Sequence, residues 1–143
     1  AVADPGRAVV RAAHAMGLTV MPLVGPVSLM LALAASGLNG QQFAFVGYVP
    51  QDASERSQRL RALEGTALKL QQAQLLIETP YRNAALLAAL VQTLQPGTRL
   101  AVAAGLGLPQ QAIRSAPVAA WRQHPQWAAA LPLSLPAVFM LGG

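Results

Sequence analysis

The stretch Gln74-Leu75-Leu76-Ile77-Glu78-Thr79-Pro80-Tyr81-Arg82 decides how the rest of the chain is read. A short apolar run ends in an acid. Thr79-Pro80 follows, a helix cap and a residue suited to the first helical position. Ala84 to Leu94 is then apolar without a breaker, and reads as a helix. A buried strand feeding directly into a helix is the unit of α/β architecture.

Outward from there the pattern repeats. Phe43 to Tyr48 reads as a strand that Pro50 ends, and Asp52 with Glu55 has the spacing of a capping box. The helix beyond carries Arg56, Arg59, Leu60 and Leu63. Downstream, Pro96-Gly97 turns the chain into a strand from Arg99 to Ala103. Gly105 to Gln111 reads as loop, Val118 to Arg122 as a short helix, and Ala137 to Leu141 as a final strand. From Asn39 the order is β-α-β-α-β with a less regular tail, and Asn39-Gly40 is the candidate domain boundary.

Before that boundary, Asp4-Pro5-Gly6 resembles a helix start, with Asp4 as cap. Val9, Val10, Ala13 and Met16 recur at helical spacing, and Gly17 ends the segment. Leu18 to Val24 predicts a short buried strand. Gly25-Pro26-Val27-Ser28 predicts a turn into a helix reaching Ser36, with Gly37 as its stop. A helix cap so early, with no strand before it, makes the chain read as part of a longer fold.

Composition narrows the function. The 143 residues are 54% hydrophobic and only 10% charged, which excludes a disordered chain. No cysteine is present, so a disulfide scaffold, a thiolate metal site and a cysteine nucleophile are excluded. His14 and His124 lie far apart and the acids are scattered, so no metal is expected. Nine arginines and Lys69 give a net charge of +5, which suits an anionic partner such as nucleic acid, although no basic run exists. Residues 15–38 carry no charge, yet Gly17, Pro22, Gly25 and Pro26 would break a membrane helix.

The two turns that open helices, at Asp4-Pro5-Gly6 and at Gly25 to Ser28, are where a ligand could approach backbone N–H groups. Ordinary α/β punctuation explains either one alone. Gly105-Leu106-Gly107 lacks the third glycine of a dinucleotide loop. There is no Ser–His–acid order and no close carboxylate pair. Glu78 is read either as a ligand contact or as a partner of Arg82 four residues on. Trp121 and Trp127 flank His124-Pro125, and packing within a loop competes with stacking on a base.

In order, these segments resemble the tetrapyrrole methylases. Ala3-Asp4-Pro5-Gly6 and Val20-Met21-Pro22-Leu23-Val24-Gly25-Pro26-Val27-Ser28 are similar to paired loops of the branch that methylates ribose in small-subunit ribosomal RNA. Ala35-Ser36-Gly37-Leu38, Gly47-Tyr48-Val49-Pro50 and Ile77-Glu78-Thr79-Pro80-Tyr81-Arg82 extend the match.

The resemblance implies an α/β fold in which residues 1–39 end an N-terminal parallel α/β domain. Residues 40–143 would then form a C-terminal α/β domain with a mixed sheet. It implies S-adenosylmethionine as methyl donor, no metal, ribosomal RNA of the small subunit as partner, a homodimer, and a cytoplasmic, non-membrane protein. Gly25, Pro26, Val27, Ser28, Ile77, Glu78, Ala104, Pro136 and Ala137 would hold the donor. Asp4, Tyr81 and Arg82 would face the substrate.

The chain departs from the branch in three places, one of them Gln110-Gln111, which stand where acids are common. Ala104-Gly105-Leu106-Gly107-Leu108 stands where an acidic Glu-Leu-Thr-Lys stretch is usual, and Tyr81 stands for a histidine. A tetrapyrrole acceptor, or a non-catalytic binding or dimerisation module, are therefore the rival readings. The chain by itself is expected to bind the donor weakly and to be inactive.

Overall fold

A computed structural model describes Val2 and residues 5–143. Five strands form one mixed sheet in the order β1-β2-β5-β3-β4: β1 (Phe43–Gly47), β2 (Ala73–Ile77), β3 (Arg99–Ala104), β4 (Ala112–Pro117) and β5 (Ala137–Gly142). Strands β1 and β2 pair in parallel, through the crossover helix α3 (Ala53–Leu70). The pairs β2–β5, β3–β5 and β3–β4 are antiparallel. This is the mixed α/β sheet expected of residues 40–143.

Side chains alternate across the sheet, so each strand feeds two cores. Leu76, Leu100, Val102, Phe139 and Leu141 join α3 and α4 (Asn83–Thr93) in one of them. Trp121, from α5 (Val118–Gln123), seals the same core, and its ring N–H donates to the Leu100 carbonyl at 3.0 Å. Leu75, Ala101, Ala103, Val138 and Met140 face the other way, against Ala32 and Leu33 of α2 (Ser28–Ser36). Each fully buried leucine or phenylalanine contributes about 1.5–3 kcal/mol, which makes β5, buried along its whole length, the spine of the sheet.

Local chemistry fixes the connections. Asp52 caps α3, its carboxylate accepting from the Glu55 N–H at 2.9 Å. Gly37, at φ +74°, ends α2 as the glycine signal predicts. Asn39 holds the turn beyond: its Oδ1 accepts from the N–H groups of Gln41 and Gln42, and its Nδ2 donates to the Gln71 carbonyl. The side chain of Arg122 closes the far end of α4 by donating to the carbonyls of Val91, Gln92 and Leu94.

Several expectations are corrected. Residues 18–24 are not a buried strand: they take no regular secondary structure, pair with no strand among the described residues, and leave Leu23 87% exposed. An apolar run of strand-forming residues becomes a strand only where another strand lies alongside it. No strand therefore precedes α2 among the described residues, and the strand–turn–helix unit expected there is absent. The first helix, α1 (Arg7–Ala15), starts two residues after Pro5 with Gly6 at its cap and buries no residue. Asp4, the expected cap, lies outside the described residues. Strand β4 and the short helix α6 (Gln126–Ala130) were not anticipated. No described helix is long and apolar enough to cross a membrane.

Candidate functional site

Parallel α/β sheets gather ligands beyond the carboxyl ends of their strands. Here a cavity of about 270 Å³ opens at the carboxyl ends of β2 and β3 and the amino end of β5. Its lining comes from four segments: Ser28 at the start of α2; Ile77, Glu78 and Pro80; Ala103, Gly105, Leu106 and Leu108; and Pro136, Ala137 and Val138. The walls are mainly apolar, and Glu78 brings a carboxylate among them.

The loops that shape the cavity are held by named contacts. Gly105 sits at φ +65°, where an added Cβ would lie 2.9 Å from Leu135 Cδ1. Its N–H donates to the Pro136 carbonyl at 2.9 Å, joining the two loops at the cavity edge. Asn83, fully buried, donates from Nδ2 to the carbonyls of Leu133 and Leu135, both at 3.0 Å. The stretch leading into Pro136 is thereby anchored on the foot of α4.

Glu78 is 8% exposed and carries the site's electrostatics. Its Oε1 accepts from the Thr79 N–H at 2.7 Å and lies 3.0 Å from Arg82 Nη2. Burial alone would push the carboxyl up. The Thr79 N–H and the Arg82 guanidinium outweigh it and hold the acid below its usual value of 4.5. The hydrogen bond to Glu78 raises Arg82 in turn. Among the described residues Oε2 takes no bond, yet it is not sealed from solvent.

The structure brings Ser28, Ile77, Glu78, Pro136 and Ala137 of the sequence-derived set around this one cavity. It does not bring the others. Gly25, Pro26 and Val27 lie in the exposed segment ahead of α2, and only the first residue of that helix reaches the cavity. Ala104 does not line it: strand alternation turns its side chain into the α3–α4 core, and Ala103 lines the cavity instead. Tyr81 is 79% exposed and, like Arg82, stands outside the lining. Arg82 lies over the Tyr81 ring, 4.7 Å from its centroid, so the pair forms an outer rim beside Glu78. Asp4 lies outside the described residues.

Leu106 and Leu108 were missed as lining because a loop has no periodicity to show which way its side chains turn. Trp121 is buried, which settles it as core. Trp127 stacks on His124 at 4.4 Å, with Arg114 4.3 Å from the ring centroid. Among the described residues no three metal-ligating side chains gather.

No family model matches the chain. Sequence relatives do. The chain is 34% identical over 118 residues to a ribosomal RNA small subunit methyltransferase I of Pseudomonas aeruginosa, an alignment of 82% of this chain and 40% of that protein. It is 33% identical over 123 residues to the protein of the same name from Mesorhizobium japonicum, covering 86% and 40%. The chain thus spans about 40% of the length of these relatives.

Among solved structures, a uroporphyrin-III-C-methyltransferase from Thermus thermophilus superposes with a TM-score of 0.55 at 21% identity, over 97% of this chain and 58% of that one. The methyltransferase CobJ gives 0.55 at 22% identity, over 98% and 61%. These two likenesses establish the fold.

Proposed function

The chain belongs to the tetrapyrrole methylase family, and from that premise we propose that its protein transfers a methyl group from S-adenosylmethionine to a ribose 2′-hydroxyl of small-subunit ribosomal RNA. The observation that carries this reading is the alignment of 82% of the chain with a protein named as a ribosomal RNA small subunit methyltransferase. A cavity at the strand ends, lined by five residues read as donor contacts, supports it.

Methyl transfer is an in-line attack on a sulfonium methyl, and the protein contributes chiefly alignment. Ile77, Leu106, Leu108 and Val138 give apolar walls against which a nucleoside could pack. Glu78 adds a fixed acceptor, and Ser28 lies where α2 begins. Gly25, Pro26 and Val27 stand just ahead of Ser28 and close on the donor only if the segment before α2 folds over it. Tyr81 and Arg82, with Asp4, belong to the side that meets RNA. The exposed Arg59 and Arg61 of α3 suit phosphate contacts.

Within the same proposal, residues 1–39 contribute to a first domain and 40–143 form the second. The protein works as a cytoplasmic homodimer without a metal, and the chain alone is inactive.

The test is label transfer from S-adenosylmethionine to undermethylated small ribosomal subunits by the whole protein. Label in RNA that falls at least tenfold in Ala103→Leu, which fills the cavity, supports the reading. Donor binding with no label in RNA would point to a tetrapyrrole acceptor or to a module that no longer catalyses.

A further inference from the structure

Resting on the RNA reading above, we infer that the outer face of the Tyr81 ring stacks on a base of the RNA close to the target ribose. Geometry is the first argument. The Arg82 guanidinium lies over one face of that ring, 4.7 Å from its centroid, yet Tyr81 remains 79% exposed. One face is covered and the other is open to solvent. An open aromatic face is what an unstacked RNA base packs against, and it accepts any of the four bases.

The second argument is that the ring is held before anything binds. Arg82 Nη2 is anchored on the Glu78 carboxylate at 3.0 Å, and its Nη1 donates to the Tyr81 hydroxyl at 2.5 Å. Glu78 is itself buried, so the clamp starts from a fixed point. A ring held in this way loses less freedom on stacking than an untethered one.

Place and charge decide the partner. Tyr81 follows Pro80, which lines the cavity, so a base on the ring would lie next to the site proposed for the donor. Tyr48, also exposed, emerges at the same edge of the sheet: it follows β1 directly, and Gly47 at the end of β1 pairs with Leu76 of β2. Because Glu78 already compensates Arg82, the Arg82–Tyr81 stack carries little net charge. That suits a flat neutral base, whereas phosphates are drawn to the exposed Arg59 and Arg61.

The experiment uses the whole protein, labelled S-adenosylmethionine and undermethylated small ribosomal subunits, and compares the wild type with Tyr81→Leu and Tyr81→Phe. Tyr81→Leu should raise KM for the subunits about tenfold, with affinity for S-adenosylhomocysteine, measured by calorimetry, unmoved. Tyr81→Phe keeps the aromatic face and should recover most of that loss. A KM for Tyr81→Leu equal to that of the wild type overturns the inference. So does a phenylalanine variant as impaired as the leucine one, which would assign the effect to the hydroxyl. A parallel loss of S-adenosylhomocysteine affinity also overturns it, because the residue would then act on the cavity through Arg82 and Glu78. A wild type that puts no label into RNA removes the RNA reading and the inference with it, an outcome distinct from labelled RNA with an unmoved KM.

Discussion

Asn83 Nδ2 donates to the Leu135 carbonyl at 3.0 Å, across 52 residues of chain, and ties the foot of α4 to the step into β5. The same nitrogen holds Leu133, so one side chain satisfies two carbonyls of an irregular stretch. Asn83→Ala leaves both without that donor and should cost about 2–3 kcal/mol in urea unfolding. An unchanged midpoint would mean that water replaces the amide without loss.

Gly105 and Gly107 both have positive φ but differ in surroundings. A Cβ at Gly105 meets Leu135 Cδ1 at 2.9 Å, whereas one at Gly107 meets nothing within 4 Å. Each alanine substitution should cost about 1 kcal/mol from backbone strain alone. Gly105→Ala should also displace Leu135 and weaken S-adenosylhomocysteine binding in the whole protein, while Gly107→Ala leaves binding intact. Unfolding curves paired with calorimetry separate the two effects.

The Glu78–Arg82 pair makes stability pH-dependent in a defined direction. The folded-state value of Glu78 lies below 4.5, so the unfolded chain takes up its proton first as pH falls. The stabilisation is complete above the unfolded value and is lost as pH drops through the folded one. Unfolding free energy should therefore decline on the acid side of 4.5, and Glu78→Gln should flatten part of that decline. Parallel acid limbs for wild type and variant would contradict the assignment.

Arg122 donates to three carbonyls at the end of α4, a geometry suited to a guanidinium and not to an ammonium. Arg122→Lys should cost about 0.5–1 kcal/mol, measured by thermal unfolding. Loss of the same size in Arg122→Lys and Arg122→Ala would show that the fork matters and the charge does not.

Much of this was legible in residues. The helix cap at Asp52, the Gly37 stop and the strand before Glu78 each followed from local chemistry that does not depend on neighbours. What failed depended on neighbours. Leu18–Val24 has the composition of a strand and no partner beside it. Strand β4 is an edge strand of small and polar residues, Ala-Ile-Arg-Ser-Ala-Pro, whose pairing comes from β3. At the site, the resemblance pointed to Ala104 at the end of β3, but alternation turns that side chain into the core and leaves Ala103 lining the cavity. The loop residues Leu106 and Leu108 reach the cavity through a turn with two positive-φ glycines, which no periodic pattern encodes.

The central claim is that the donor occupies the cavity where β2, β3 and β5 meet α2. Amide hydrogen exchange of the whole protein, with and without S-adenosylhomocysteine, tests it most directly. The account predicts added protection at Ile77–Glu78, through residues 103–108, and around residues 137–138, with the first turn of α2 following. Protection confined to other parts of the protein, with these four segments unchanged by a bound ligand, would contradict it.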